Sequence, residues 1–383
     1  SISCDKKEGH MGGEMAYIDN YKKYLDEIPT DIEICKETDR RIVFGYTSDL
    51  DVLLTYNEEE FNKLIDANVK GDIYRDGDED ITDMESFSRI IAYYMANGLG
   101  GEADITDKKV VDYLLEHFEH TFALGGTAAQ GAAAMASVGM PLIAHISDKS
   151  EEVCDLMDYE GLNAIVGEHQ VPIREIHTGE PVYHVVFSYT KGDSFVLHGK
   201  RYEVPISNRV ILDYDTIHKD IVVKDDFKNY LEQHTDQLIS YNVSGFNGII
   251  DTDLVSRRMK ELGVHYKKVK EKNPDCLIYF ESAHYISQEV KKIVYREIAS
   301  YVDIMGMNEE ELVAHMKELD FEPDKENLND VLKSMAVLTE KYHVRGIIMH
   351  TKDYSMYYGE ALAGINLEKA LTLGNLLSGT RAR

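Results

Sequence analysis

Short runs of β-branched and other apolar residues recur along the chain, separated by stretches with helical spacing. The runs lie at residues 41–47 (RIVFGYT), 121–126 (TFALGG), 141–146 (PLIAHI), 237–245 (QLISYNVSG), 276–282 (CLIYFES), 302–308 (VDIMGMN) and 344–351 (VRGIIMHT). Several are nearly continuous in apolar residues, the pattern of strands buried on both faces. Helical patterns fill the gaps, for example residues 251–273 and 328–343. This alternation predicts an α/β fold built on a doubly wound, mainly parallel sheet.

Two segments break the rhythm. Residues 52–118 are acidic and read as mainly helical, with RDGDEDITD as a charged loop. Residues 172–213 cluster β-branched and aromatic residues around turn signals at Lys191-Gly192-Asp193 and His198-Gly199, which predicts antiparallel hairpins. The expected division is a core of residues 1–51, 119–171 and 214–383, with 52–118 and 172–213 forming a smaller β-rich lid. Such a lid can close over a ligand and exclude water.

At 383 residues the chain can bury a large core. Its formal charge of −28 argues against nucleic acid or an anionic membrane surface as a partner. No apolar run approaches the ~20 residues of a membrane span. The first residues do not resemble a secretory signal. Cysteines at 4, 35, 154 and 276 have neither zinc-ligand nor redox-motif spacing, so free thiols in a reducing cytoplasm are expected.

In open α/β sheets, ligands gather at the carboxyl ends of the strands. There the sequence places Asp49-Leu50-Asp51, Gly125-Gly126-Thr127, Ser244-Gly245-Phe246-Asn247-Gly248, Glu281, Asn308 with Glu311, and His350-Thr351. On local grounds Asn308 and Glu311 form a helix capping box, and the acidic run 309–311 suits the helix dipole. Glu281 and Glu311 on successive strand ends also suit hydrated Mg²⁺, which favours oxygen ligands. The glycine pair brings backbone amides near a hydroxyl or phosphate, or simply lets strand and helix pack closely. It is neither a P-loop nor a dinucleotide fingerprint.

FGYTSDLD, ALGGTAAQGA, NVSGF, IYFESA, IMGMNEEEL and IMHTKDY follow one another in the order seen in ADP-dependent glucokinases and phosphofructokinases. That family is a branch of the ribokinase-like sugar kinases. The resemblance spans residues 41–383. Residues 306–312 resemble the family's Asn-x-x-Glu motif, YFESA resembles its His-x-Glu motif, and the tail from residue 366 resembles the helix before its nucleotide loop. The resemblance implies a ribokinase-like core with a β-rich lid, and transfer of phosphate from ADP to a hexose or hexose phosphate such as glucose or fructose 6-phosphate. It further implies that Glu281 and Glu311 organise Mg²⁺, that Asp49, Asp51, Gly125, Gly126, Asn247 and Arg209 meet the sugar, and that His350 and Thr351 lie near the nucleotide.

Three departures stand out. Tyr279 replaces the histidine of His-x-Glu, and Asp49 replaces the asparagine two residues before Asp51. No Gly-x-Gly-Asp segment occurs, although the family's catalytic base lies in one, expected after the helix with which the sequence ends. No catalytic base is therefore assigned. Two alternatives follow. One is a catalytically impaired sugar or nucleotide sensor of the same fold. The other is a haloacid-dehalogenase-type phosphatase with Asp49 as nucleophile and Asp51 as acid/base. The polar GYTS before them and the lack of a companion acidic loop weigh against the phosphatase.

Overall fold

The structure is a computed structural model that describes residues 8–381. Sixteen strands occur among them: β1 (Arg41–Gly45), β2 (Asp49–Leu54), β3 (Gly101–Asp104), β4 (His120–Gly125), β5 (Leu142–Ala144), β6 (Leu162–Val166), β7 (His169–Pro172), β8 (Tyr183–Tyr189), β9 (Ser194–Leu197), β10 (Lys200–Glu203), β11 (Asn208–Tyr214), β12 (Leu238–Val243), β13 (Leu277–Glu281), β14 (Ile304–Met307), β15 (Gly346–His350) and β16 (Ser355–Gly359). They form a nine-stranded sheet in the order β16-β15-β14-β13-β12-β1-β5-β6-β7, a five-stranded sheet in the order β3-β11-β8-β2-β4, and the hairpin β9-β10.

The large sheet is parallel from β15 to β6 and antiparallel only at its two edge pairings. Its central strands are short and apolar because helices cover them. Met305, Met307, Ile347 and Met349 are fully buried against Val331, Met335 and Leu338 of helix Leu328–Tyr342. This is the parallel α/β core that the apolar runs predict.

One of those runs lies elsewhere. Residues 121–126 belong to β4, which pairs antiparallel with β2 in the five-stranded sheet. The reason is incomplete burial. Thr121 and Phe122, on opposite faces, are both exposed and only the end of the strand at Leu124 and Gly125 is buried, so it lacks the continuous cover of a central parallel strand. Asp49 and Asp51 move with it. They stand on β2 of the small sheet rather than at the end of β1.

The other elements of residues 52–118 and 172–213 pack onto the small sheet. Helices Glu58–Asn68, Met84–Asn97 and Lys108–His117 supply buried apolar residues to the same cluster as Val185, Phe187 and Val210. The hairpin turns on His198 (φ 49°) and Gly199 (φ 77°), as the sequence predicts. Phe61 meets Phe187 and Phe195 with ring centroids 5.8 and 5.7 Å apart. The same apolar cluster continues into Ala129, Ala132 and Ala133 of helix Thr127–Ser137 and into Leu142 of β5, so the two sheets are joined through packed side chains.

Helix Glu8–Glu37, which the apolar pattern does not predict, docks on the C-terminal helix Leu367–Arg381. Lys369 bridges Glu27 at 2.7 Å and Asp31 at 2.5 Å. No helix of the described residues is long and apolar enough to cross a membrane. Cys35, Cys154 and Cys276 are free thiols, and Cys4 lies outside the described residues.

Candidate active site

The small sheet faces the carboxyl ends of β1 and β12, and a cleft of about 330 Å³ opens between them. Strand register decides what lines it. Asp51 of β2 pairs with His184 of β8, His184 with Asp213 of β11, and Asp213 with Asp104 of β3. Residues in direct register share a face of a sheet. Four ionisable side chains therefore stand in a row across four strands. Asp49 and Glu102 lie two residues along their strands, on the same face, and Asp215 follows just past β11. All of these carboxylates line the cleft.

Such crowding needs a counter-charge, and His184 supplies it. Its Nδ1 lies 3.1 Å from Asp49 Oδ1 and its Nε2 lies 3.7 Å from Asp213 Oδ1. Burial opposes charge on this ring, but the Asp49 carboxylate, with Asp213 and Asp215 beyond, outweighs it and pushes the pKa up to about 10. Burial, together with Glu102, Asp104 and Asp215, moves Asp213 the other way from an ordinary carboxylate, up to about 7, although His184 partly offsets it. Asp215 is held well below the usual range. Burial alone would raise it, but His218 Nδ1 at 2.7 Å prevails. His218 Nε2 in turn meets Ser147 Oγ at 2.7 Å. Asp49, His184 and His218 offer donor atoms within 4.8 Å of one another, a spacing that suits a metal ion. The proton on His184 already supplies the positive charge at that point.

Asp49 Oδ1 is taken by His184, whereas Asp213 Oδ1 and Ser244 Oγ, both buried atoms at the cleft, have no hydrogen-bond partner among the described residues. Ser244 is only 4% exposed. Buried groups of this kind are normally satisfied, so they point to a hydrogen-bonding ligand. Gly125 and Gly126 make room for them. A Cβ on Gly125 would collide with Asp49 Oδ1. Gly126 has φ +81° and lies so close to the Thr47 backbone that a Cβ would sit 2.5 Å from its carbonyl oxygen.

A second cluster stands on the next strand ends. His350 Nε2 lies 2.6 Å from Glu281 Oε1, and the Tyr279 hydroxyl donates to Glu281 Oε2. Asn308 and Glu311 form a complete capping box, each side chain accepting from the other's amide at 2.9 and 3.0 Å. The capping expectation is met, yet it does not account for the whole side chain. Burial raises the Glu311 pKa, the Asn308 amide lowers it, and Glu281 raises it further. Glu281 likewise holds His350 above its ordinary value through their hydrogen bond. A carboxylate whose charge is disfavoured by burial and by a second carboxylate nearby is an environment in which a hard, oxygen-seeking cation fits.

The cleft thus gathers Asp49, Asp51, Gly126 and Asn247, with Gly125 directly behind Asp49. Glu281, Glu311 and His350 form the neighbouring cluster. Two expected residues stand apart. Arg209 is exposed on β11 and is not among the cleft's lining residues. The Thr351 hydroxyl accepts from the amides of Asp353 and Tyr354 at 3.0 Å and shapes the turn after β15. The sequence reading passed over His184, Glu102, Asp104, Asp213 and Asp215. A signal was present for some of them. Asp213 and Asp215 alternate at the end of a strand, and His184 occupies the less apolar parity of β8.

An acidic cleft between a parallel α/β core and a small β-sheet, beside a carboxylate pair, is the site that the family comparison identifies as that of an ADP-dependent sugar kinase. Residues 40–383 match the family model described as "ADP-specific Phosphofructokinase/Glucokinase conserved region", and the chain belongs to that family. ADP-specific phosphofructokinase from Pyrococcus horikoshii is 23% identical over 369 residues, covering 89% of this chain and 81% of that protein. The enzyme from Thermococcus zilligii is 21% identical over 370 residues, covering 89% and 79%. In fold, the chain is similar to the reconstructed last common ancestor of ADP-dependent phosphofructokinases from Methanosarcinales, with TM-score 0.72, 18% identity, and 95% and 83% of the two chains covered. It is also similar to an ADP-dependent kinase in complex with fructose 6-phosphate and ADPβS, with TM-score 0.67, 17% identity, and 92% and 76% covered.

The raised His184 pKa predicts a pH dependence of stability. The group's folded pKa of about 10 lies above its ordinary 6.5, so its contribution is fully present below 6.5 and is lost as pH rises towards 10. Denaturant titrations should show stability falling across that interval, with a clearly shallower slope in His184→Gln. Equal slopes in both proteins would show that the ring does not carry this charge.

Proposed function

We propose that the protein transfers the terminal phosphate of ADP to a hydroxyl of an unphosphorylated sugar bound in the acidic cleft. The observation that carries this reading is the cleft's charge combined with its unsatisfied atoms. Six carboxylates line it, Asp49, Asp51, Glu102, Asp104, Asp213 and Asp215, against Lys219 and the imidazoles of His184, His218 and His284. No arginine is among the lining residues. Sugar phosphates are commonly gripped by arginine forks, and a dianion placed here would meet net repulsion. A neutral polyol can give hydrogen bonds to the lining carboxylates and exchange one with the Ser244 hydroxyl. The fructose 6-phosphate of the similar kinase complex is therefore not carried over to this cleft.

In the transfer, a sugar oxygen forms a bond to the phosphorus, the bond to the AMP oxygen breaks, and the sugar hydroxyl loses its proton. Asp49 and Asp51 would accept hydrogen bonds from sugar hydroxyls and fix the attacking oxygen. Gly126 leaves space for that approach. His350, which the Glu281 carboxylate holds above its ordinary pKa, would face the nucleotide phosphates and, when protonated, offer them a positive group. Glu281 and Glu311 would hold Mg²⁺ through its waters, and the ion would neutralise charge on the transferred group. The proton acceptor is not assigned, because no Gly-x-Gly-Asp segment occurs in the 383 residues.

Mass spectrometry of mixtures containing Mg²⁺, ADP and either glucose, fructose or fructose 6-phosphate tests the reading. AMP with a phosphorylated neutral sugar is expected, and fructose 6-phosphate should be the poor acceptor. Preferred turnover of fructose 6-phosphate would overturn the acceptor assignment. Saturable sugar binding without any AMP would make the protein a sensor of the same fold.

Glu311→Gln separates the two roles of that residue. Glutamine still completes a capping box, so stability should change by less than about 1 kcal/mol. Turnover should fall by roughly 10²-fold or more, the size of effect seen when one electrostatic stabiliser is removed. Unchanged turnover would return Glu311 to capping alone.

A further inference from the structure

A second cavity, of about 1010 Å³, lies at the opposite edge of the large sheet from the acidic cleft. Asp303 immediately precedes β14 and Arg345 immediately precedes β15, so this cavity adjoins the amino ends of strands whose carboxyl ends carry the site described above. Three segments supply its cations. Helix Thr252–Lys272 contributes Lys267 and Lys270, helix Gln288–Ile298 contributes Lys291, Lys292 and Arg296, and the end of helix Leu328–Tyr342 with the loop beyond contributes Lys341 and Arg345.

Seven cations therefore face three carboxylates, Glu271, Asp303 and Glu318, in a chain that carries 69 acidic against 41 basic residues. The carboxylates are already engaged. Asp303 holds Lys270 at 2.8 Å and Arg345 at 3.6 Å and also accepts the Ile278 amide. Glu318 is shared between Lys291 at 2.7 Å and Lys341 at 3.8 Å. Glu271 reaches only Lys267, at 3.8 Å, and both are largely exposed. Lys292 and Arg296 pair with Glu289 and Glu297 along their own helix, in solvent, where such pairs are weak and easily exchanged.

The crowding leaves a trace on the lysines. Burial lowers the Lys341 pKa, Glu318 raises it, and the neighbouring Lys291 lowers it again. Lys291 itself is 95% buried, so this is a built wall and not only a fringe of surface lysines. Tyr295, Tyr301 and Tyr342 supply the apolar part of the lining.

We propose that this cavity is a binding site for a small multivalent anion of the polyphosphate type, separate from the acidic cleft. Lys292, Arg296 and Lys341 would meet its charges, with Lys291 and Arg345 behind them. The ligand must be small, because an extended polyanion such as nucleic acid would run onto the rest of a surface with a formal charge of −28. The inference rests on this cavity alone and does not depend on the kinase reading.

Calorimetry with inorganic pyrophosphate, without Mg²⁺, tests it. The wild-type protein should bind pyrophosphate with an affinity that falls as salt is added. The double variant Lys292→Gln with Arg296→Gln changes two exposed side chains, so the fold should persist, and its affinity should drop by about tenfold or more. Glu311→Gln, at the other end of the sheet, should bind as tightly as wild type. Hydrogen exchange should slow in residues 291–303 and 341–345 on binding. No binding by the wild type, or equal binding by the double variant, would overturn the proposal.

Discussion

The ion pair between the His184 imidazolium and the Asp49 carboxylate is the constraint on which the cleft depends. Register in the small sheet forces Asp51, Asp213 and Asp104 to stand side by side, with Asp49 and Glu102 one step away. Like charges set this close repel one another, most strongly where Asp49 and Asp213 are withdrawn from water. One partly buried histidine, 3.1 Å from Asp49 and 3.7 Å from Asp213, offsets that repulsion. Strand pairing holds that side chain in place.

From that arrangement follows a polarity of the whole molecule. Carboxylates collect at the carboxyl ends of the strands and between the sheets, whereas cations collect around the amino ends of β14 and β15. The parallel sheet separates the two. In a chain so strongly acidic, the acidic cleft suits an uncharged acceptor. The basic cavity is the place where local charge inverts the general field. The glutamate pair beside the cleft stands between these regimes, with His350 as its own counter-charge.

The parallel core was legible because both faces of its strands are covered, which makes near-continuous apolar runs. Residues 121–126 misled for the same reason: FALGG reads as a buried run, but Phe122 points to solvent and the strand pairs antiparallel. Glu281, Glu311 and His350 were legible as polar residues ending apolar strands. Asp49 and Asp51 were legible as residues, though not in their place. His184 and Asp213 were not, since their importance arises from pairing across β2, β8 and β11, and a single sequence does not print register. The long helix at residues 8–37 is missed because it lacks a continuous apolar stripe; its contact with the C-terminal helix includes the bridges from Lys369.

The central claim is that charge in the cleft selects an unphosphorylated acceptor. Its most direct test is calorimetric binding of glucose and glucose 6-phosphate to the same protein at low ionic strength, since the two differ only in the phosphate. The account predicts that glucose binds more tightly, and that the gap narrows as salt screens the carboxylates. Tighter binding of glucose 6-phosphate at low salt would contradict it.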